Sequence, residues 1–214
     1  MRRLLLIFIM VVLIADVDGQ TGEWEFLRGE DGIEVFSRKS ADSPIKEIRV
    51  QNMMKTDLSS LVALMKDVDN HRNWTYANKK AKVIEKQSEF SWIFYGYSNA
   101  PWPVQDRDMV INASLSQNPE TRVVMNEGKC NPGLLPEKDG VVRVPACRSV
   151  WILEPVGADS VLVSLEIKID LGGSLPAWLI NMVSHKGPYE TIKNMETEVR
   201  KPRYLNAELD YIID

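Results

Sequence analysis

Two histidines, two cysteines and one Asp-Arg-Asp triplet are the residues whose chemistry could set a function in this 214-residue chain. Acid–base or nucleophilic catalysis needs such a group held within reach of a partner. His71, flanked by Asn70, Arg72 and Asn73, reads as part of a surface turn, and His185 reads as a satisfied helix residue on or beside an apolar stripe. Neither histidine stands at ligand spacing from a second His or Cys, and no GxSxG, HExxH or phosphate-loop pattern occurs. The sequence therefore points to no catalytic residue, no metal and no cofactor. Cys130 and Cys147 are an even pair, read as a disulfide if the chain is exported and as two free thiols if it is not. In the triplet Asp106-Arg107-Asp108, Arg107 reads first as a structural ion pair with either neighbour and second as a contact for a ligand headgroup.

These residues need elements to hold them, and the strongest element signal runs from Gly172 to Arg200. Ser174 is suited to cap a helix there, and Pro176 fits its first turn. Apolar residues follow at Leu175, Trp178, Leu179, Met182, Val183, Tyr189, Ile192, Met195 and Val199, largely three or four apart. Asn181, Lys186, Glu190, Lys193, Asn194, Glu196 and Lys201 take the opposite, water-facing side. Gly187-Pro188 interrupts this stripe. An interior proline removes a backbone hydrogen bond at a cost of about 3 kcal/mol, so a kink or break is expected near Lys186. A second helix is expected over Leu58 to Val68, capped by Asp57, and an irregular helical turn over Asp69 to Ala77.

The remainder reads as strands. Ile33 to Arg38 and Ile45 to Met54 come before the first helix. Seven more follow it, at about 81–86, 91–98, 108–116, 121–127, 141–144, 149–154 and 161–170. None alternates with a crossover helix, so the sheet should be antiparallel. Trp24 to Leu27 reads as a short helical turn. Val161, Val163, Leu165, Ile167 and Ile169 share one face of the last strand, and Met109, Ile111, Ala113 and Leu115 repeat the pattern. Such rows cover either a solid core or a lined cavity, and the pattern alone does not separate the two.

Composition narrows the class further. The formal net charge is −4 with no long basic run, which argues against a nucleic-acid partner. No repeat or low-complexity tract divides the chain, and one domain over 20–214 is expected. Arg2 and Arg3 precede an apolar run from Leu4 to Ala15, with a small-residue pattern ending at Gly19. That run is short of the roughly 20 residues a spanning helix needs, so residues 1–19 read as a cleavable export signal, with an uncleaved anchor as the alternative.

Four segments, Tyr97 to Val110 (YSNAPWPVQDRDMV), Gly140 to Arg143 (GVVR), Trp151 to Pro155 (WILEP) and Pro176 to Met195, in this order and spacing, resemble the START lipid-transfer family. The resemblance covers about Trp24 to Arg200. It implies an α+β helix-grip fold, a curved antiparallel sheet gripping a long C-terminal helix, with an internal apolar cavity for one lipid. It implies also that this helix gates the cavity, with the loop around Pro101, Trp102 and Pro103 as one lip of the mouth and a site of transient membrane contact. On that basis the expected ligand-lining residues are Met109, Ile111, Ala113, Val163, Leu165, Ile167, Trp178, Met182 and Tyr189, with Trp92, Phe94 and Trp151 as aromatic candidates. Steroid-handling members carry a buried basic residue further along the strand that follows the triplet. Ile111, Asn112 and Ala113 supply none, so that headgroup arrangement is absent or supplied elsewhere. The expected function is that of a monomeric, exported, non-enzymatic carrier of a lipid or other hydrophobic small molecule. The alternative is a helix-grip enzyme of the polyketide cyclase type.

Overall fold

The computed structural model describes residues 22–100, 104–157 and 159–214. The expected export signal at 1–19 and the expected lip residues Pro101, Trp102 and Pro103 lie outside them. The first described strand, β1 (Glu25–Glu30), stands where a helical turn was expected. Asp31 and Gly32, with φ of 52° and 79°, form the tight turn into β2 (Ile33–Arg38). Phe26 packs edge-on against Phe36, and the guanidinium groups of Arg38 and Arg49 both lie 4.3 Å from the Trp24 ring. These outer-face contacts hold the first segment extended and override its weak helical pattern.

After β3 (Glu47–Met54), α1 (Leu58–Lys66) begins at Asp57, whose carboxylate accepts a hydrogen bond from the Ser60 N–H at 2.6 Å. A single 3₁₀ turn, Val68–Asn70, leads into α2 (His71–Trp74). The chain then runs through β4 (Asn78–Lys86), β5 (Ser91–Ser98), β6 (Asp106–Gln117), β7 (Val124–Cys130), β8 (Val141–Arg143), β9 (Ala146–Val156) and β10 (Ser160–Asp170). Among the described residues these form one sheet in the order β1-β2-β3-β10-β9-β7-β6-β5-β4. The pairings are antiparallel except that of β8, which adds to β6 in parallel through Asp106–Val141, Arg107–Val142 and Asp108–Arg143.

The C-terminal signal is two helices, α3 (Ala177–Val183) and α4 (Lys186–Val199), meeting at Ser184 and His185. Pro176, not Ser174, is the extended N-cap of α3. The break places Pro188 in the first turn of α4, where its missing N–H interrupts no helical bond. Tyr189, Ile192, Met195 and Val199 are buried against the sheet and α1, as the stripe requires. Each such side chain is worth about 1.5–3 kcal/mol when removed from water. Polar pins fix the register: Asn52 donates to Glu196 at 2.9 Å and Asn70 donates to Glu198 at 2.9 Å. The tail then folds back, and both Ser59 N–H and Ser59 O–H donate to the Asp214 carboxylate, at 2.8 and 2.6 Å.

Candidate functional site

The strand registers align the inner-face residues in rungs that cross the sheet. The lowest contains Val124, Leu153 and Val163, and the next contains Leu115, Asn126, Trp151, Leu165 and Val50. Above them run Trp92, Ala113, Gly128, Ser149, Ile167 and Ile48, and then Phe94, Ile111 and Cys130, with Met109 opposite Gly96. α1 and α4 seal the lower rungs, so Trp92, Ala113, Val163, Leu165 and Tyr189, all expected to line a ligand site, are core residues. Phe94, Met109, Ile111, Trp151 and Ile167 keep partial solvent access on the same face. The concave face is thus packed solid at one end and leaves an apolar patch partly open to solvent at the other.

Beneath Phe94 of this patch lies His71, which is buried rather than in a surface turn. Its ring packs edge-on against Trp74 and Phe94 at centroid distances of 5.0 and 5.5 Å, and Trp74 meets Trp151 at 5.9 Å. His71 Nε2 lies 2.8 Å from the Met65 carbonyl, a bond in which the neutral ring donates. Burial lowers the His71 pKa below its ordinary value of 6.5, with the Met65 bond and the charges of Asp67 and Asp69 opposing the shift. Below about pH 6.5 the unfolded chain therefore takes up a proton that the folded chain refuses, and stability falls as the pH drops through that window. His71→Phe should flatten the decline in melting temperature between about pH 7 and pH 5. Equal slopes for wild type and variant would remove His71 as the cause.

Alternation along β6 splits the triplet. Arg107 points to the inner face with Met109, whereas Asp106 and Asp108 point outward, so Arg107 pairs with neither and the expected ion pair is replaced by another. Asp106 accepts hydrogen bonds from the Tyr97 hydroxyl and, at 2.9 Å, from the Ala100 N–H. Asp108 meets Arg143 across the parallel β6–β8 pair, with Nε to Oδ1 at 2.7 Å and Nη2 to Oδ2 at 3.1 Å. The remaining Arg143 donors reach the carbonyls of Pro132, Leu135 and Pro136 at 2.7, 2.9 and 3.1 Å. The pair is buried and stitches the 131–137 loop to the sheet. The bond to Asp108 raises the Arg143 pKa. Arg107 is 7% exposed and donates to the carbonyls of Gln105 and Leu171; burial lowers its pKa.

Gly172 and Gly173, with φ of 65° and 68°, turn the chain from β10 over Arg107 toward α3. A Cβ on Gly172 would come within 2.9 Å of Pro145 Cδ, so this turn requires glycine. α3 presents Ile180 to the interior, where it is buried. Residues two positions away on a helix lie on its far side, so Trp178 and Met182, expected in the site, are instead 67% and 58% exposed. The apolar spacing of Trp178 and Met182 thus marks the outward side of α3, and Ile180 marks its buried side. Asn181, expected to face water, holds α3 down: its Oδ1 accepts from Lys46 N–H at 2.9 Å and its Nδ2 donates to Pro44 O at 3.0 Å.

Cys130 and Cys147 form a disulfide with Cα atoms 5.0 Å apart. They lie one step beyond the Lys129–Arg148 pair of β7 and β9, on the inner face, where Cys130 is opposite Ile111. The bridge therefore borders the apolar patch at Ile111. Among the described residues no cluster of three or more His, Cys, Asp or Glu side chains could hold a metal ion.

A curved antiparallel sheet gripping a C-terminal helix defines the helix-grip class of folds. The START domain family profile matches residues 9–203, and the chain belongs to that family. It is 30% identical over 197 residues to an uncharacterized protein of Pseudomonas aeruginosa, spanning 90% of this chain and 96% of that relative. It is 24% identical over 177 residues to the phosphatidylcholine transfer protein of Rattus norvegicus, with 81% and 82% of the two chains covered. A STAR-related lipid transfer protein from Xanthomonas axonopodis superposes with a TM-score of 0.78 at 27% identity, over 83% of this chain and 99% of that one. These likenesses support lipid binding and do not favour the cyclase alternative.

Proposed function

We propose that the protein carries a single lipid, as a monomer and without chemical conversion, in the cleft bounded by β5, β6, β9, β10 and α3. The observation that carries this reading is the apolar patch of Phe94, Met109, Ile111, Trp151 and Ile167, which stays accessible above a fully packed core. Burying about ten methylenes is worth ~8 kcal/mol, so an unaided lipid leaves a bilayer slowly. A cleft offering comparable apolar surroundings lowers that barrier. α3 acts as the gate. It is a short helix set between the Gly172-Gly173 turn and the Ser184-His185 break, and Asn181 latches it to the start of β3. The outward Trp178 and Met182 are suited to dip into a membrane surface during exchange. The leader pattern at 1–19 and the disulfide favour work in an oxidising, extracytoplasmic compartment.

Uptake of a fluorescent long-chain lipid from vesicles tests the reading. Wild type should saturate near about one lipid per chain, and Ile111→Glu, which puts a carboxylate where it can still reach water, should lower uptake by at least about tenfold without loss of folding. Undiminished uptake by the folded variant would place the ligand elsewhere. Asn181→Ala should leave the stoichiometry intact and speed transfer, and an unchanged rate would sink the α3 gate.

A further inference from the structure

At the corner where α3 turns into α4, a cavity of about 390 Å³ opens between the helices and β1, β2 and β3. Its polar lining is Arg28, Ser37, Lys46, Asn181 and His185, and no Asp or Glu is among the described residues that line it. A β-bulge between Phe26 and Arg28 produces part of this arrangement. The extra residue, Leu27, shifts the register so that Arg28 comes opposite Val35 and points to the inner face. There its guanidinium lies 4.1 Å from the Tyr189 ring centroid, which steadies it without neutralising it. Arg28 Nε is buried and has no hydrogen-bond partner. Ser37, at 1% exposure, is buried among apolar residues, and its hydroxyl also has none.

Two unsatisfied buried polar atoms, two cationic side chains and no carboxylate among the described lining residues make a site suited to an anion. We propose that this cavity receives a phosphate group, carried by the lipid whose chains occupy the neighbouring cleft. A carboxylate presents its acceptor sites in one plane, whereas a phosphate directs oxygens tetrahedrally, which suits donors that approach from β1, β2 and the start of β3. The same cavity is lined by Ile48, which lies opposite Ile167 of the apolar patch in the β3–β10 register, so the two sites lie side by side on the inner face of the sheet. His185 completes the rim. Burial and the Arg28 charge lower its pKa, so near neutral pH it contributes a ring N–H rather than a third charge. The phosphate site rests on the lipid-carrier reading for its apolar half.

Phosphatidic acid and diacylglycerol with identical chains, each offered to the protein in neutral glycolipid vesicles, test this directly. Wild type should retain phosphatidic acid at least about tenfold more tightly, and that ratio should fall toward one in Lys46→Gln, which keeps the backbone N–H that Asn181 uses. Ser37→Ala serves as the second variant should Lys46→Gln misfold, with the same expected direction. Equal retention of the two lipids by wild type overturns the phosphate site and leaves the carrier reading standing. Retention of neither overturns the carrier reading. A parallel calorimetric titration with inorganic phosphate alone separates the sources: binding of free phosphate as tight as that of phosphatidic acid, and lost in Lys46→Gln, would overturn the lipid as its bearer.

Discussion

Asp108→Ala should destabilise the protein by about 3–5 kcal/mol, because it strands a buried guanidinium whose carboxylate partner is gone. Arg143 is sealed beneath the 131–137 loop and is bonded bidentately to Asp108, and its other donors already serve three loop carbonyls. For a domain of this size the loss corresponds to a fall of roughly 10 °C or more in melting temperature. The double variant Asp108→Leu with Arg143→Met should recover much of that loss, since replacing both partners removes the uncompensated charge along with the pair. Thermal melts of the three proteins decide the matter. A single variant within about 1 kcal/mol of wild type would show that the pair is not a structural tie.

The second large effect concerns the bridge across β7 and β9. With the cysteines 17 positions apart, the chain-entropy estimate for removing the Cys130–Cys147 link is about 3 kcal/mol. Cys130→Ser with Cys147→Ser should lower the free energy of unfolding in denaturant by that order. The double variant exposes only the polar replacements at the cleft wall, so the loss is assigned chiefly to the freed unfolded chain. Equal stability of the two forms would mean that the β7–β9 ladder alone holds the 131–146 excursion.

Much of this architecture was legible in the sequence because its signals are local. Ile33 to Arg38 alternates and Ser91 to Ser98 is rich in aromatic residues, and both are strands over those spans. Asp57 caps α1 as its residue type suggests, and Gly187-Pro188 marks the break between α3 and α4 to within a few residues. The first strand was missed, although Asp31-Gly32 ahead of the alternating Ile33 and Val35 is a hairpin signal that could have revealed it. The START resemblance supplied the helix-grip architecture, which neither periodicity nor composition specifies.

The site was less legible because it depends on facing and on distant partners. Consecutive residues of a strand face opposite ways, which ruled out the Arg107 pairs without revealing that Arg143, 35 residues beyond Asp108, would be the partner. The GVVR segment that carries Arg143 was visible, but its parallel register with β6 was not. His71 looked solvated beside Asn70, Arg72 and Asn73, yet a single short helix turns its ring inward against Trp74 and Phe94. Arg28, Ser37 and Lys46 carry no motif at all. They converge only because a bulge, a hairpin and a helix corner meet at one end of the sheet.

The most direct test of the carrier account is native mass spectrometry of the purified protein, followed by organic extraction and comparison with a mock purification. The account predicts one enriched lipid, bound at about one per chain through the apolar cleft and depleted in Ile111→Glu. A folded protein that carries none, and takes up none from a panel of phospholipids, fatty acids and sterols, would contradict it.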